Sequence, residues 1–141
     1  MDAQKITVET TVAAPPATAW AAHTQGRHIT GWNFASDDWH CPSAEVDLRT
    51  GGRMTSRMEA KDSSMDFEFG GTYESVVPER ETVMRMDDGR MSRTTFEEVE
   101  GGTKVTTTFD AETTNPIEMQ RQGWQAILDN YRRYVETMAP G

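Results

Sequence analysis

The chain has 141 residues, close to the commonest size for one domain, long enough for one core and too short for two. Fourteen Lys and Arg face 23 Asp and Glu for a net charge of −9. With Arg132-Arg133 as the longest basic run, no basic face exists to neutralise nucleic-acid phosphates or an anionic membrane surface. Hydrophobic residues make up 35%, with four Trp and five Phe, which favours a folded domain over disorder. Cys41 stands alone, so an intrachain disulfide is excluded. Met1-Asp2-Ala3-Gln4-Lys5 shows no basic-then-apolar pattern and no run approaches the ~18 apolar residues of a membrane span, so a cytoplasmic chain is expected.

Residues 5–13 alternate, with Ile6, Val8 and Val12 on one face and Thr7, Glu9 and Thr11 on the other, as in a half-buried strand. Ala14-Pro15-Pro16 stops it, and Ala17 to His23 reads as a short Ala-rich helix carrying Trp20. Residues 24–43 read as an irregular loop holding Trp32, Phe34 and Trp39, with Trp39 either a lid or a plug. From 44 to 110 the pattern predicts strands at 44–48, 53–60, 65–77, 81–86, 90–100 and 103–111. They are separated by Gly51-Gly52, Lys61-Asp62-Ser63-Ser64, Pro78-Glu79, Asp87-Asp88-Gly89 and Gly101-Gly102. Short turns between successive strands imply an antiparallel meander. Asn115 as N-cap, Pro116 at N1 and Glu118 at N3 predict the start of a long helix. Its apolar stripe runs through Ile117, Trp124, Ile127, Leu128, Tyr131, Tyr134, Val135 and Met138 to a stop at Ala139-Pro140-Gly141.

The predicted fold is α+β, one domain over 1–141. A curved seven-stranded antiparallel sheet wraps around the C-terminal helix, the only element large enough to cover the sheet's apolar face. Flexible Met and aromatic side chains suit a gap between the two.

Several segments in order carry a family resemblance: Ile6–Val12 followed by Ala14-Pro15-Pro16-Ala17-Thr18-Ala19-Trp20; Ile29-Thr30-Gly31-Trp32; Val46-Asp47-Leu48-Arg49-Thr50-Gly51-Gly52-Arg53-Met54; Phe69-Gly70-Gly71-Thr72-Tyr73-Glu74-Ser75-Val76-Val77-Pro78; Gly101-Gly102-Thr103-Lys104-Val105; and Gln122-Gly123-Trp124. The chain resembles the SRPBCC (START/Bet v 1-like) superfamily, and within it bacterial homologues of the C-terminal domain of the activator of heat-shock-protein-90 ATPase. The resemblance spans nearly the whole chain and implies a helix-grip fold with a hydrophobic cavity. The chain departs from the family pattern in two places. Arg121-Gln122 stand where a His commonly precedes the Gly-Trp, and Ser92 and Thr94 stand where relatives often carry valine.

No nucleophile–His–acid set and no Gly-x-Ser-x-Gly elbow is present. His23, His28 and His40 read as solvent-exposed or hydrogen-bonded. His40-Cys41 lacks a second spaced pair for a metal, and Cys41 reads as a partly buried, inert thiol. Asp66, Glu68 and Glu74 fall on the outer face by parity. No catalytic set, metal or cofactor is therefore predicted.

The candidate ligand-contacting residues are Trp32, Met58, Phe67, Phe69, Tyr73, Met84, Ser92, Thr94, Phe96, Trp124, Leu128 and Tyr131, with Thr107 as a further polar anchor. Plain core packing is the competing reading for each, above all for Leu128 and Val135. The leading expectation is a module that binds a small apolar or amphipathic molecule carrying one or two hydroxyl or carbonyl groups, as a monomer or weak homodimer. A polyketide-cyclase/aromatase- or hydratase-like enzyme using the same cavity is the alternative. It requires an ionisable residue inside, and Arg93 and the loop histidines are the positions to check. A co-chaperone-like interaction domain is a third reading, implied by the family name alone.

Overall fold

Alternation builds the first strand, β1 (Lys5–Val12), whose inward residues Ile6, Val8 and Val12 are buried. The computed structural model describes residues 4–34 and 36–138. After β1 come α1 (Pro16–Thr24) and α2 (Gly26–Ile29), then β2 (Trp39–Val46), β3 (Arg53–Ala60), β4 (Asp66–Val77), β5 (Glu81–Met86), β6 (Met91–Val99), β7 (Gly102–Asp110) and α3 (Ile117–Thr137). All seven strands form one antiparallel sheet in the order β1-β7-β6-β5-β4-β3-β2. β2 to β7 make the expected meander, and β1 returns to lie beside β7. This is the predicted helix-grip architecture. No helix among the described residues is long and apolar enough to cross a membrane.

Two expectations are corrected. Residues 24–43 are not a continuous irregular loop, because they include α2 and most of β2, and the second strand lies at Trp39–Val46 rather than 44–48. β2 is an edge strand with a register shift between His40 and Ser43. An edge tolerates Pro42 because one row of its N–H groups has no ladder partner, and the bulge breaks the alternation that would have revealed the strand. The helix start is also different. Pro116, not Asn115, occupies the N-cap, and no side chain caps it. The Asn115 backbone N–H and side-chain Nδ2 both donate to Glu112 Oε1 at 2.7 Å. Buried Gln120 then ties the turn to the helix, donating to the carbonyls of Glu112 and Asn115 and accepting from the Glu112 N–H. The predicted stop at Ala139-Pro140-Gly141 lies outside the described residues.

α3 lies along β1 and against α1. As an edge strand, β1 has unpaired backbone groups, and α3 satisfies several of them. Arg121 Nη1 donates to Thr7 O at 3.3 Å, Gln125 Nε2 donates to Glu9 O at 3.0 Å, and Ala13 N–H donates to Glu136 Oε2 at 3.2 Å. The periods match. Four helical residues rise about 6 Å and two strand residues about 6.8 Å, so donors at i and i+4 meet carbonyls at j and j+2. Below this contact Trp124 stacks on Phe109 with ring centroids 3.8 Å apart. The outer face of the sheet carries cross-strand ion pairs, among them Glu74–Arg85 at 2.6 Å, Glu81–Arg93 at 2.5 Å and Asp66–Arg57.

Gly102, at the start of β7, permits β1 and β7 to meet. A Cβ there would lie 1.9 Å from the Val12 carbonyl oxygen. Gly102→Ala is expected to destabilise the chain by about 1–3 kcal/mol in urea denaturation. Gly123→Ala, which meets nothing within 4 Å, is expected to hold or slightly raise stability. Equal stability of Gly102→Ala and the parent chain would contradict this register.

Candidate ligand-binding site

Because α3 rests on the β1 edge, the inward side chains of β3, β4 and β5 face it across open space. A cavity of about 270 Å³ lies there. Trp124, Ile127 and Leu128 of α3 form one wall, and Met54, Met58, Phe67, Phe69 and Tyr73 of β3 and β4 form the opposite one. The floor comes from Val8, Thr82, Met84, Ser92, Thr94 and Thr107, the inner end from His23, Ile29, Trp32 and Asn33, and the rim from Arg90. A Cβ on Gly71 would stand 2.6 Å from the Met84 side chain, so the glycine makes room for Met84 in the wall.

Ten of the twelve predicted contact residues line this space: Trp32, Met58, Phe67, Phe69, Tyr73, Met84, Ser92, Thr94, Trp124 and Leu128. Phe67 is 50% exposed and marks the mouth, where its ring meets Trp39 at 5.7 Å. Trp39 itself is not part of the lining.

Phe96 and Tyr131 do not line the cavity. Phe96 has the right strand parity and Tyr131 lies on the apolar stripe of α3, but α1 fills the space over them. Trp20 packs edge-on against Phe96 at 5.3 Å. Tyr131 is fully buried and donates its hydroxyl to Ala19 O at 2.6 Å. They are core residues behind the cavity's inner end.

The floor is more polar than its apolar walls. Thr82, Thr94 and Thr107 sit in one transverse row on β5, β6 and β7, because Thr82 pairs with Thr94 and Thr94 with Thr107 in register. Thr94 and Thr107 hydroxyls are 2.9 Å apart. The hydroxyls of Tyr73, Thr82 and Ser92 have no hydrogen-bond partner among the described residues. No sealed polar side-chain atom there is left unpaired, so these groups open onto the cavity. Thr82 was readable in the sequence, two residues from Met84 on the same strand face.

Two ionisable groups of the lining, Arg90 and His23, are absent from the candidate contact residues named from the sequence. Arg90 lies at the rim, its Nε donating to Asp88 Oδ2 at 2.7 Å and its Nη1 to Asp110 O at 3.3 Å. His23 lies inside, and the expectation of a solvent-exposed or hydrogen-bonded ring fails for it. His23 is half-buried, with protein atoms packed around its imidazole, and it lines the cavity. Trp32, Tyr131 and Phe96 hold it at centroid distances of 5.3, 5.4 and 5.5 Å. Its side chain makes no hydrogen bond among the described residues, and burial lowers its pKa from 6.5 to about 4.

The other flagged groups lie elsewhere. His28 Nδ1 is 2.6 Å from the Tyr134 hydroxyl, and His40 stands 3.8 Å from Glu59. Arg93 points outward to Glu81. Cys41 is buried, donates to Ser43 O at 3.4 Å, and has its pKa pushed up by burial.

A family model described as activator of Hsp90 ATPase homolog 1-like protein matches residues 13–136. The chain belongs to this family. An activator of Hsp90 ATPase homolog 1-like protein from Aeromonas hydrophila, solved in solution, is 43% identical. The match covers 94% of this chain and 92% of that one, with a TM-score of 0.90. A protein from Cytophaga hutchinsonii is also 43% identical over 94% and 92% of the two chains, with a TM-score of 0.80. A protein from Nitrosomonas europaea, 17% identical over 94% of each chain with a TM-score of 0.81, shares the fold. Among curated proteins none matches.

The His23 environment has a consequence for stability. The native state holds the ring neutral, so protonation favours the unfolded chain. This stabilisation is complete above pH 6.5 and is lost as pH falls toward about 4, amounting to about 3 kcal/mol over that window. His23→Leu is expected to flatten the pH dependence of stability between pH 6.5 and 4.5 in chemical denaturation. An unchanged slope would contradict a desolvated imidazole.

Proposed function

We propose that this family member binds a small, mostly apolar molecule in the cavity between α3 and the sheet. The observation that carries the reading is an apolar-walled cavity of about 270 Å³ whose floor holds hydroxyls, those of Thr82 and Ser92, without partners among the described residues. A packed core would leave no such space and no such groups. The volume lies near the lower end of the roughly 300–1,000 Å³ usual for ligand pockets, which favours a compact ring compound over a long-chain lipid.

Catalysis of the cyclase or hydratase kind is the second reading, favoured by one observation: an ionisable ring, His23, on the cavity wall. A pKa near 4 makes that ring a weak base at neutral pH, so binding ranks above proton transfer. A chaperone-directed role has only the family's description behind it.

Thermal denaturation with a panel of neutral aromatic and alicyclic compounds tests the binding reading. A ligand present at about 100 times its Kd contributes about 2.7 kcal/mol, a rise of several degrees in Tm. Ser92→Phe, which places a ring in the cavity, is expected to remove the shift while keeping the fold. A panel without any shift, or a shift that survives Ser92→Phe, would sink the reading.

A further inference from the structure

We propose that the inner end of the cavity selects an uncharged ligand carrying a hydroxyl group, with His23 as the residue that recognises it; this rests on the binding reading above. The imidazole is held by the rings of Trp32, Tyr131 and Phe96, none of which offers it a hydrogen bond. It therefore presents a fixed orientation with both nitrogens unpaired among the described residues. A neutral imidazole has one donor nitrogen and one acceptor nitrogen, and a hydroxyl, which both donates and accepts, can satisfy either.

The neighbouring floor has the same requirement. Thr94 and Thr107 carry two hydroxyl hydrogens, of which their mutual contact at 2.9 Å uses one. The hydroxyl of Thr82, which is 5% exposed, adds a further donor and acceptor in the same row. Phe96, which His23 contacts, lies two residues from Thr94 on the same face of β6, and His23 and Thr94 both line the cavity. Each group paid a desolvation cost on folding that a hydrogen-bonding ligand offsets and a hydrocarbon does not.

Charge is excluded at this end. Arg90, the one permanent cation in the lining, sits at the rim and is engaged by Asp88 and the Asp110 carbonyl. A carboxylate reaching His23 would be desolvated beside a ring that burial keeps neutral and that would have to take up a proton to serve as its counter-ion.

Three matched probes test this at pH 7: naphthalene, 2-naphthol and 2-naphthoate, titrated against the full chain by amide NMR. 2-Naphthol is expected to bind about tenfold more tightly than naphthalene, the gain of one well-placed hydrogen bond, and 2-naphthoate more weakly than either. His23→Leu is expected to abolish the preference, so that 2-naphthol and naphthalene bind the variant with equal affinity. A readout that needs no variant is the ring nitrogen shifts of His23, which are expected to move with 2-naphthol and stay with naphthalene. Equal affinities of the two neutral probes, a preference that survives His23→Leu, or His23 nitrogens indifferent to 2-naphthol would overturn the selectivity while leaving the binding reading intact. Failure of all three probes to bind would overturn the binding reading itself, and this inference with it.

Discussion

The rest of the structure depends on where α3 is held. Its side chains reach the backbone of β1, an edge strand, at Thr7 and Glu9, and that of Ala13 just after it. An exposed strand edge is a liability that proteins cover, and here the cover is the same helix that closes the core. Those contacts fix both the direction and the register of α3. The stacking of Trp124 on Phe109 fixes its rotation. A helix held at the β1 edge of a seven-stranded sheet leaves the strands three to five places away without a partner, so the space over β3 to β5 stays open.

The two ends of that space differ for a related reason. At the inner end α1 lies between the sheet and α3, burying Phe96 and Tyr131 and bringing His23 to the cavity wall. At the other end half-exposed Phe67 and Arg90 frame the mouth. The result is a pocket with apolar sides, a row of hydroxyls across its floor and a neutral imidazole at its inner end. Charged cross-strand pairs, among them Glu74–Arg85 and Glu81–Arg93, lie on the outer face of the sheet.

Most of the fold was legible because parity and turn residues agree. Ile6, Val8 and Val12 define a face, and Asp88-Gly89 and Gly101-Gly102 mark where chains reverse. β2 was hidden because its bulge and Pro42 interrupt the period that identifies strands. The start of α3 was misplaced because Asn115 has the composition of a cap, whereas its amide is taken by Glu112. For the cavity, parity separates inside from outside but says nothing about depth. Phe96 and Tyr131 are inside, yet behind α1. His23 was the least readable: α1 is rich in alanine and carries almost no amphipathic signal, so no face could be assigned from the sequence. Its position follows from how α1 docks, a tertiary fact.

The most direct test of the account is to ask which methionines sense an apolar molecule. Met54, Met58 and Met84 line the cavity, whereas Met65 and Met119 are 64% and 58% exposed on the surface. With carbon-13-labelled methionine methyls and added naphthalene, the account predicts shift changes and intermolecular Overhauser contacts at Met54, Met58 and Met84. Met65 and Met119 are predicted to stay unmoved. Contacts confined to Met65 or Met119, with the three cavity methyls silent, would contradict it.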